Sequence, residues 1–381
     1  MSSSASSFPR PSSLPPAATP ASDPYAPLLR YGWDAEWADA FAPYEDEGLT
    51  PARILRVDRD RCTAFGVAGQ VTAAAPEAGL PCTGDWVALG EVPGGQQPVV
   101  RALLPRRTAF LRSASSNRSE AQVLAANVDH ALVLASLERE PDLARLERFV
   151  ALAWAGGAQP LVVLTKADLL DPGAVDVLRT ETAEGLPGVE VLAASAESGE
   201  GIEVLTAVVA GGTSVLLGQS GAGKSTLANA LLGEEAQGTG AVRAVDGKGR
   251  HTTTARDLLP LPVSAGGGVL IDTPGLRGVA LWDAAEGVER TFAEIEELAA
   301  ECRFHDCAHR AEPDCAVLAA VEEGRLPQRR LDSYRKLLRE NARIAARSDA
   351  RLRAEQRQLF KQRQALGRHM MERKRGPHRK P

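Results

Sequence analysis

A nine-residue run near the middle of the chain carries residue types that bind phosphate and a divalent metal ion. The run consists of Gly218, Gln219, Ser220, Gly221, Ala222, Gly223, Lys224, Ser225 and Thr226. It fits GxxxxGK[ST] and lies between a strand-like apolar stretch, 214–217, and a helix-like stretch, 226–232. Backbone N–H groups at the helix start bind phosphate oxygens, Lys224 neutralises the β/γ charge, and the Ser225 hydroxyl ligates Mg²⁺. We predict a nucleoside triphosphate site lined by all nine residues.

A second motif follows an earlier apolar stretch, 161–164, and indicates which base is bound. It consists of Thr165, Lys166, Ala167 and Asp168 and is similar to the guanine-reading [NT]KxD motif. The Asp168 carboxylate would accept hydrogen bonds from two N–H groups that guanine has and adenine lacks. The aliphatic stem of Lys166 would pack along the base.

Two further features bear on recognition of the base. Thr165 stands where Asn is usual and lacks its amide, so we expect guanine selectivity to be somewhat relaxed. Ser195 and Ala196 follow the apolar stretch 189–193 and are similar to another guanine-nucleotide motif, whose backbone also contacts the base.

The metal and the terminal phosphate have their own candidate residues. Asp272 and Gly275 belong to an Asp-Thr-Pro-Gly run that follows the apolar stretch 269–271. An aspartate at a strand tip can hold the metal through water, and a glycine amide can sense the γ-phosphate. Between the phosphate loop and Asp272 lies the segment 249–254, in which a threonine could ligate Mg²⁺ and contact the γ-phosphate. Thr253 is the preferred residue for this role. The magnesium ligands would therefore be Ser225, Thr253 and Asp272.

The residues that would orient the attacking water depart from the common pattern. Leu276 occupies the position after the DxxG glycine, where Ras-type enzymes carry a water-positioning glutamine. Intrinsic hydrolysis should therefore be slow and stimulated by a partner. His251 is the candidate catalytic residue, and an exposed loop histidine without a catalytic role is the alternative.

The order of the motifs differs from that of ordinary GTPases, in which the phosphate loop comes first. Here Asp168 precedes Lys224 by more than fifty residues, which indicates a circularly permuted GTPase. Such a reconnection is physically inexpensive because the termini of a compact domain often lie close together. The phosphate-sensing segment after Asp272 then runs directly into the C-terminal region.

A metal-ligand pattern lies beyond the GTPase motifs. Its members are Cys302, Cys307, His309 and Cys315. Three thiolates and an imidazole suit tetrahedral Zn²⁺, with His305 as a substitute ligand and three incidental thiols as the alternative. Since no acid or water-activating residue is evident in the cluster itself, we predict one structural zinc in a reducing compartment.

The spacing of apolar stretches and turn residues divides the chain into five parts. We expect an extended, disordered arm over 1–49 and a small oligonucleotide-binding (OB) type β-barrel over 50–113. Strands alternating with helices predict an α/β P-loop domain with a parallel sheet over 114–283. A helical zinc domain over 284–345 and a basic tail over 346–381 complete the prediction.

Composition and charge restrict the function classes. The 381 residues are 44% hydrophobic and carry a net charge of −5, which excludes a wholly disordered or fibrous chain. No stretch of about 20 uninterrupted apolar residues and no secretory signal is present, so we expect a cytoplasmic protein without membrane contact. Residues 325–381 contain 19 Lys and Arg against 5 Asp and Glu. This basic segment favours a nucleic-acid partner over a merely solvated helix.

Taken together, the motifs resemble the ribosome small-subunit-dependent GTPase family (RsgA, also called YjeQ). The likeness covers about residues 50–340 and includes Gly84-Asp85-Trp86-Val87 in the barrel. The resemblance implies a bacterial enzyme that hydrolyses GTP to GDP and phosphate during late maturation of the 30S subunit, and we expect it to be a monomer. It also implies binding to 16S rRNA through the barrel and zinc domain, and stimulation by the small subunit.

Three alternatives stay open on the sequence alone. The chain could be an RNA-binding assembly factor in which the nucleotide is mainly a structural ligand. It could be a permuted GTPase of large-subunit assembly, for which the barrel and the cysteine pattern are poor matches. A P-loop kinase is disfavoured because no second-substrate signature accompanies the loop.

Overall fold

The computed structural model describes residues 23–58, 60–75, 80–92, 94, 97–112, 122–238, 256–272 and 284–348. His251, Thr253 and Gly275 lie outside these ranges, as does the basic tail beyond residue 348. Within the described residues, no helix is both long and apolar enough to cross a bilayer.

The first described segment, which begins at residue 23, corrects part of the expectation of a disordered arm over 1–49. It forms two helices, α1 (Ala26–Leu29) and α2 (Ala35–Glu45). The Asp34 carboxylate caps α2 by accepting a 2.9 Å hydrogen bond from the Trp37 N–H. Trp33, Trp37 and Phe41 recur every fourth residue and are buried, and Trp33 packs against Trp86 of the barrel at 4.8 Å. Only about the first two dozen residues are rich in Ser and Pro, so the prediction of disorder should not have been extended to the aromatic residues that follow.

The barrel is closed and has five strands, as the sequence predicts. Its strands are β1 (Thr50–Val57), β2 (Arg61–Gly66), β3 (Gly69–Ala74), β4 (Trp86–Gly90) and β5 (Val99–Leu103). The order around the barrel is β1-β2-β3-β5-β4, with all pairs antiparallel except β3 and β5. A separate two-stranded ribbon, β6 (Ala109–Arg112) with β7 (Gln122–Ala126), leads out of it.

The α/β domain is built on a six-stranded sheet. Its strands are β8 (His130–Ser136), β9 (Gln159–Thr165), β10 (Glu190–Ala194), β11 (Thr213–Gly218), β12 (Asp257–Pro260) and β13 (Val269–Asp272). The spatial order is β10-β9-β8-β11-β13-β12, and five strands are parallel while the edge strand β12 is antiparallel. The packed helices are α3 (Leu143–Ala155), α4 (Pro172–Gly185), α5 (Ile202–Val209) and α6 (Lys224–Gly238). The predicted parallel sheet is confirmed, whereas β12 and α4 were not predicted.

Four helices form the C-terminal domain: α7 (Ala285–Thr291), α8 (Ala293–Ala299), α9 (Ala316–Glu322) and α10 (Gln328–Ser348). Helix α7 packs closely against α3 at Gly287. A Cβ built on this glycine would stand only 2.2 Å from the Ala151 carbonyl oxygen. At the start of α7, the Ala284 N–H donates a 3.1 Å hydrogen bond to the side chain of Asn341 on α10. Both α3 and α10 therefore fix the position of α7.

A buried carboxylate joins the C-terminal domain to the α/β domain. Glu147 on α3 is fully buried and accepts hydrogen bonds from Arg329 at 2.7 Å, from Arg330 at 2.9 Å and from the Ser333 hydroxyl. Arg330 is itself buried and also pairs with Glu294 at 2.6 Å. A charge in such surroundings is tolerated because it is fully paired.

A buried cation joins the N-terminal helices and the barrel to the α/β domain. The Arg53 guanidinium, on β1, is only 1% exposed. It donates to the carbonyl oxygens of Tyr31 at 2.6 Å, Gly84 at 3.1 Å and Asn127 at 3.2 Å, and to the Thr213 hydroxyl at 2.9 Å. Burial lowers its pKa to about 10. One side chain thus connects the N-terminal helices, the barrel and the first residue of β11.

The Glu147 network predicts a stability difference between two acidic residues that pair with arginine. Replacing Glu147 with Ala removes one of the two carboxylates that pair with the buried Arg330 and the acceptor of the buried Ser333 hydroxyl, and we expect a loss of about 1.5–3 kcal/mol in the free energy of unfolding. Replacing Glu340, which pairs with Arg148 where both side chains are partly exposed, should cost less than about 1 kcal/mol. Urea unfolding followed by circular dichroism measures both variants. Equal losses would contradict a special role for Glu147.

Candidate functional site

The predicted nucleotide motifs meet at one edge of the sheet. Strands β8, β9, β10, β11 and β13 are parallel, so their carboxyl ends lie together. The phosphate loop begins at the last residue of β11, the Thr165–Asp168 motif begins at the last residue of β9, Ser195 follows β10, and Asp272 ends β13. In open α/β sheets this edge is where ligands bind. Segments that are distant in sequence are therefore brought to one site.

The phosphate loop adopts a backbone that requires glycine. Gly218, Gly221 and Gly223 have φ angles of 149°, 84° and 80°. A Cβ on Gly218 would also stand 2.8 Å from the Leu134 carbonyl oxygen of the neighbouring strand. Helix α6 begins at Lys224, so the positive end of its dipole faces the loop.

The polar side chains of the loop are placed for phosphate and metal chemistry. The Lys224 ammonium donates hydrogen bonds to the carbonyl oxygens of Gly218, at 2.9 Å, and Gln219. It therefore lies within the loop, where it can neutralise phosphate charge. Ser225 and Thr226 are exposed in the first turn of α6, and Asp272 is exposed at the tip of the adjacent strand β13. A hydroxyl and a carboxylate at these positions suit a hydrated Mg²⁺.

Thr165 links the predicted base-reading motif to the phosphate loop. Its hydroxyl is buried and lies 2.9 Å from the Ala222 carbonyl oxygen and 3.3 Å from that of Ala135. Gly223 packs against the same side chain, since a Cβ added to this glycine would lie 3.4 Å from the hydroxyl oxygen. The end of β9 is thus fixed against the loop.

Asp168 is presented to solvent by a short turn and is oriented by Ser195. The turn spans Ala167–Leu169 and follows Lys166, which has a left-handed φ of 61°. The buried Ser195 hydroxyl donates to the Asp168 carboxylate and accepts from the N–H groups of Glu197 and Ser198 at 3.2 and 3.1 Å. The sequence assigned Ser195 and Ala196 a backbone contact only. The orienting role of the Ser195 side chain was missed.

Sequence reasoning also missed the partner of Lys166. The ammonium lies 2.8 Å from the Glu138 carboxylate and lowers the pKa of that carboxyl group. Glu138 follows β8, which neighbours β9 in the sheet. Only the strand order reveals this pairing, since no local motif marks Glu138.

The four predicted zinc ligands come together in the C-terminal domain. The donor atoms of Cys302, Cys307, His309 and Cys315 all lie within 4.8 Å of one another. The Cys302 and Cys315 sulfurs are 3.8 Å apart, and His309 Nδ1 is 3.6 and 3.4 Å from them. A tetrahedral zinc site has sulfurs about 3.8 Å apart and nitrogen about 3.5 Å from sulfur. The cluster is compatible with zinc, and His305 is exposed outside it.

Backbone hydrogen bonds hold the loop between the ligands. The Glu312 carboxylate accepts from the N–H groups of Ala308, Arg310 and Ala311 at 3.2, 2.6 and 3.0 Å. These bonds lower the pKa of Glu312 to about 2. His309 itself is buried and has a left-handed φ of 53°. Four protein donors leave no open coordination position, as in structural rather than catalytic sites.

Comparison with known proteins places these motifs in a family. The family model described as "RsgA GTPase" matches residues 103–282, which include both nucleotide motifs. The small ribosomal subunit biogenesis GTPase RsgA of Streptomyces coelicolor is 64% identical over 359 residues, covering 92% of this chain and 97% of the relative. The chain belongs to the RsgA GTPase family. The RsgA protein of Opitutus terrae is 44% identical, covering 88% of this chain and 95% of its own.

Solved structures agree on the architecture. YjeQ from Thermotoga maritima matches with a TM-score of 0.57 at 24% identity, covering 77% of this chain and 98% of its own. YloQ, described as a circularly permuted GTPase, matches with a TM-score of 0.55 at 23% identity, covering 77% of this chain and 95% of its own. The predicted permuted GTPase fold of the RsgA family is therefore confirmed.

Proposed function

We propose that this chain hydrolyses GTP to GDP and phosphate and acts as a nucleotide-switched factor in the biogenesis of the small ribosomal subunit. The observation that carries the proposal is the Thr165 hydrogen bond to Ala222, because it holds the Asp168 turn beside the phosphate loop. A base and its phosphates can then be bound by one continuous surface. The names of the Streptomyces and Opitutus relatives support the same function and the same partner.

The residues of the site divide the work of binding. The loop from Gly218 to Gly223 and the ammonium of Lys224 would hold the phosphates, and Ser225 with Asp272 would hold Mg²⁺. The Asp168 carboxylate, oriented by Ser195, would accept from the guanine N–H groups, with the Ser195–Ala196 backbone also at the base. Bound Mg²⁺ would neutralise charge that develops on the phosphates.

The assignments from the switch segments stay proposals from sequence. Thr253 would complete the magnesium shell, Gly275 would sense the γ-phosphate, and His251 would orient water. Since Leu276 stands where a water-positioning glutamine is common, hydrolysis would depend on ordering by the small subunit. We place the protein in the cytoplasm as a monomer that meets assembling 30S particles.

The GTPase proposal predicts that Lys224 is needed for tight GTP binding and that the small subunit stimulates turnover. Changing Lys224 to Ala removes a charged hydrogen-bond donor, and we expect GTP affinity to fall about 10- to 150-fold. Changing the exposed Arg179 to Ala on α4 should leave affinity unchanged. Phosphate release measured with and without purified 30S subunits tests the function itself. No stimulation of the unmodified protein would favour an assembly factor with a structural nucleotide.

We also propose that the cysteine cluster holds one structural Zn²⁺. Removing one thiolate, in a Cys307→Ser variant, should lower the zinc content from one ion per chain toward zero and lower the melting temperature. His305→Ala is the matched control, because His305 lies in the same loop and is exposed. Elemental analysis and calorimetry give the two readouts. Zinc loss in the His305 variant would restore the ligand alternative that the sequence left open.

Helix α10 supplies a candidate surface for 16S rRNA. Lys336, Arg339 and Arg343 are exposed and recur at helical spacing, so they form a basic stripe. The opposite side of α10 is buried through residues that include Tyr334, Leu337 and Asn341. The stripe is therefore held in a fixed orientation and continues into a basic segment of the sequence.

The stripe predicts a measurable salt dependence. If its three side chains contact phosphates, replacing all three with Ala should reduce the slope of log affinity against log salt by about 2–3. Binding to 30S particles is measured over a salt titration, with Arg179→Ala as a control outside the stripe. An unchanged slope would remove α10 from the RNA interface.

A further inference from the structure

The Arg335 side chain, on α10, has buried hydrogen-bond donors that lack an acceptor. Its Nη1 atom lies 3.5 Å from the carboxylate of Asp332, one turn earlier on the helix. Its Nε and Nη2 atoms are buried and have no hydrogen-bond partner among the described residues. By contrast, every guanidinium nitrogen of the buried Arg53 and Arg330 donates to an oxygen. Buried cationic donors without acceptors are costly, so those of Arg335 need an explanation.

Arg335 lies beside the four predicted zinc ligands. Cys302 and Cys307 pack against the same hydrophobic core as Tyr334, the residue that precedes Arg335 on α10. Burial lowers the pKa of His309, and the positive charge of Arg335 acts in the same direction. The guanidinium group is therefore close enough to His309 for their charges to interact.

The carboxylates near His309 are engaged by other donors. Glu312 accepts hydrogen bonds from three backbone N–H groups of its own loop. Glu296, on α8, accepts a 2.7 Å hydrogen bond from the Tyr334 hydroxyl. Among the described residues, Asp332 is the acidic partner of Arg335, and its side chain is 61% exposed. The cysteine sulfurs are thus the remaining acceptors near the two buried nitrogens.

Zinc binding would give this cluster a negative charge. Zn²⁺ binds cysteine as the thiolate and histidine as the neutral imidazole. Three thiolates and one imidazole around one Zn²⁺ therefore carry a single net negative charge. Groups that donate to the ligands of a metal contribute to its affinity. A cationic donor beside the cluster would stabilise the loaded state more than the empty state.

We propose that Arg335 is the counter-cation of the zinc-loaded cluster, with Nε and Nη2 as the donors available to the cysteine thiolates. The inference rests on the proposed structural zinc. It assigns Arg335 to retention of the metal, whereas Lys336, Arg339 and Arg343 on the same helix belong to the exposed basic stripe.

The test measures the zinc affinity of the full chain by competition with a chelator of known affinity. Arg335→Met keeps an aliphatic side chain but removes the charge and the N–H groups, so zinc affinity should fall about tenfold or more. Arg335→Lys keeps the charge and should restore most of the lost affinity. Arg325→Met is the matched control, because Arg325 is exposed and pairs with Glu323. Its zinc affinity should equal that of the unmodified chain.

A second readout is the reactivity of the metal-bound thiolates. Loss of a neighbouring cation should make these thiolates more nucleophilic. Iodoacetamide should therefore alkylate the zinc-loaded Arg335→Met variant faster than the unmodified chain, and the Arg335→Lys variant at close to the unmodified rate. Mass spectrometry of peptides separates the cluster cysteines from the buried Cys62 and Cys82.

The outcomes distinguish this inference from the zinc proposal on which it rests. Unchanged zinc affinity in Arg335→Met would overturn the inference and leave the structural zinc intact. Equal losses in Arg335→Met and Arg335→Lys would also overturn it, because packing rather than charge would then be responsible. Absence of zinc from the unmodified chain would overturn the zinc proposal itself. If Arg335→Met fails to fold, Arg335→Gln, which is neutral and polar, provides the same comparison.

Discussion

The parallel alignment of five strands is the constraint on which the nucleotide site depends. Parallel strands end at the same edge, so segments separated by long stretches of sequence become neighbours. The hydrogen bond between Thr165 and Ala222 joins residues that are 57 positions apart. Which residues meet at this edge depends on the direction and spatial order of the strands and not on their order in the sequence. This is why a permuted sequence can assemble the same kind of site as an unpermuted one.

Chain order matters instead for the domain that is attached beyond the site. Strand β13, which carries Asp272, is the last strand of the sheet in sequence order. The next described element is α7, which begins the C-terminal domain. That helix is fixed by its close approach to α3 and by Asn341 of α10. Glu147 then joins α3 to α10 through buried ion pairs. The zinc-compatible loop and the basic stripe are thus attached to the nucleotide domain by specific contacts.

Features encoded by local residues could be predicted, and features that depend on which elements become neighbours could not. The turns of Gly218 and Gly223 follow from residue type, and the strands that flank them follow from apolar runs. The cysteine cluster is a short-range pattern, and its convergence was predicted. Helix α2 was wrongly assigned to a disordered arm, because its stability comes from packing against Trp86. The ion pairs of Glu138 and Glu147 could not be predicted from the sequence, because they depend on the strand order and on how the helices pack.

The buried Arg53 makes the N-terminal helices an integral part of the fold, because it bonds them to the α/β domain. It bonds to Tyr31 before the barrel and to Thr213 at the start of β11, the strand whose other end is the phosphate loop. A polypeptide trimmed to begin at Thr50 would deprive this cation of an acceptor and expose the indole of Trp86. Excision of the leading segment would therefore weaken the junction between the barrel and the α/β domain, at the end of β11 that is opposite the phosphate loop.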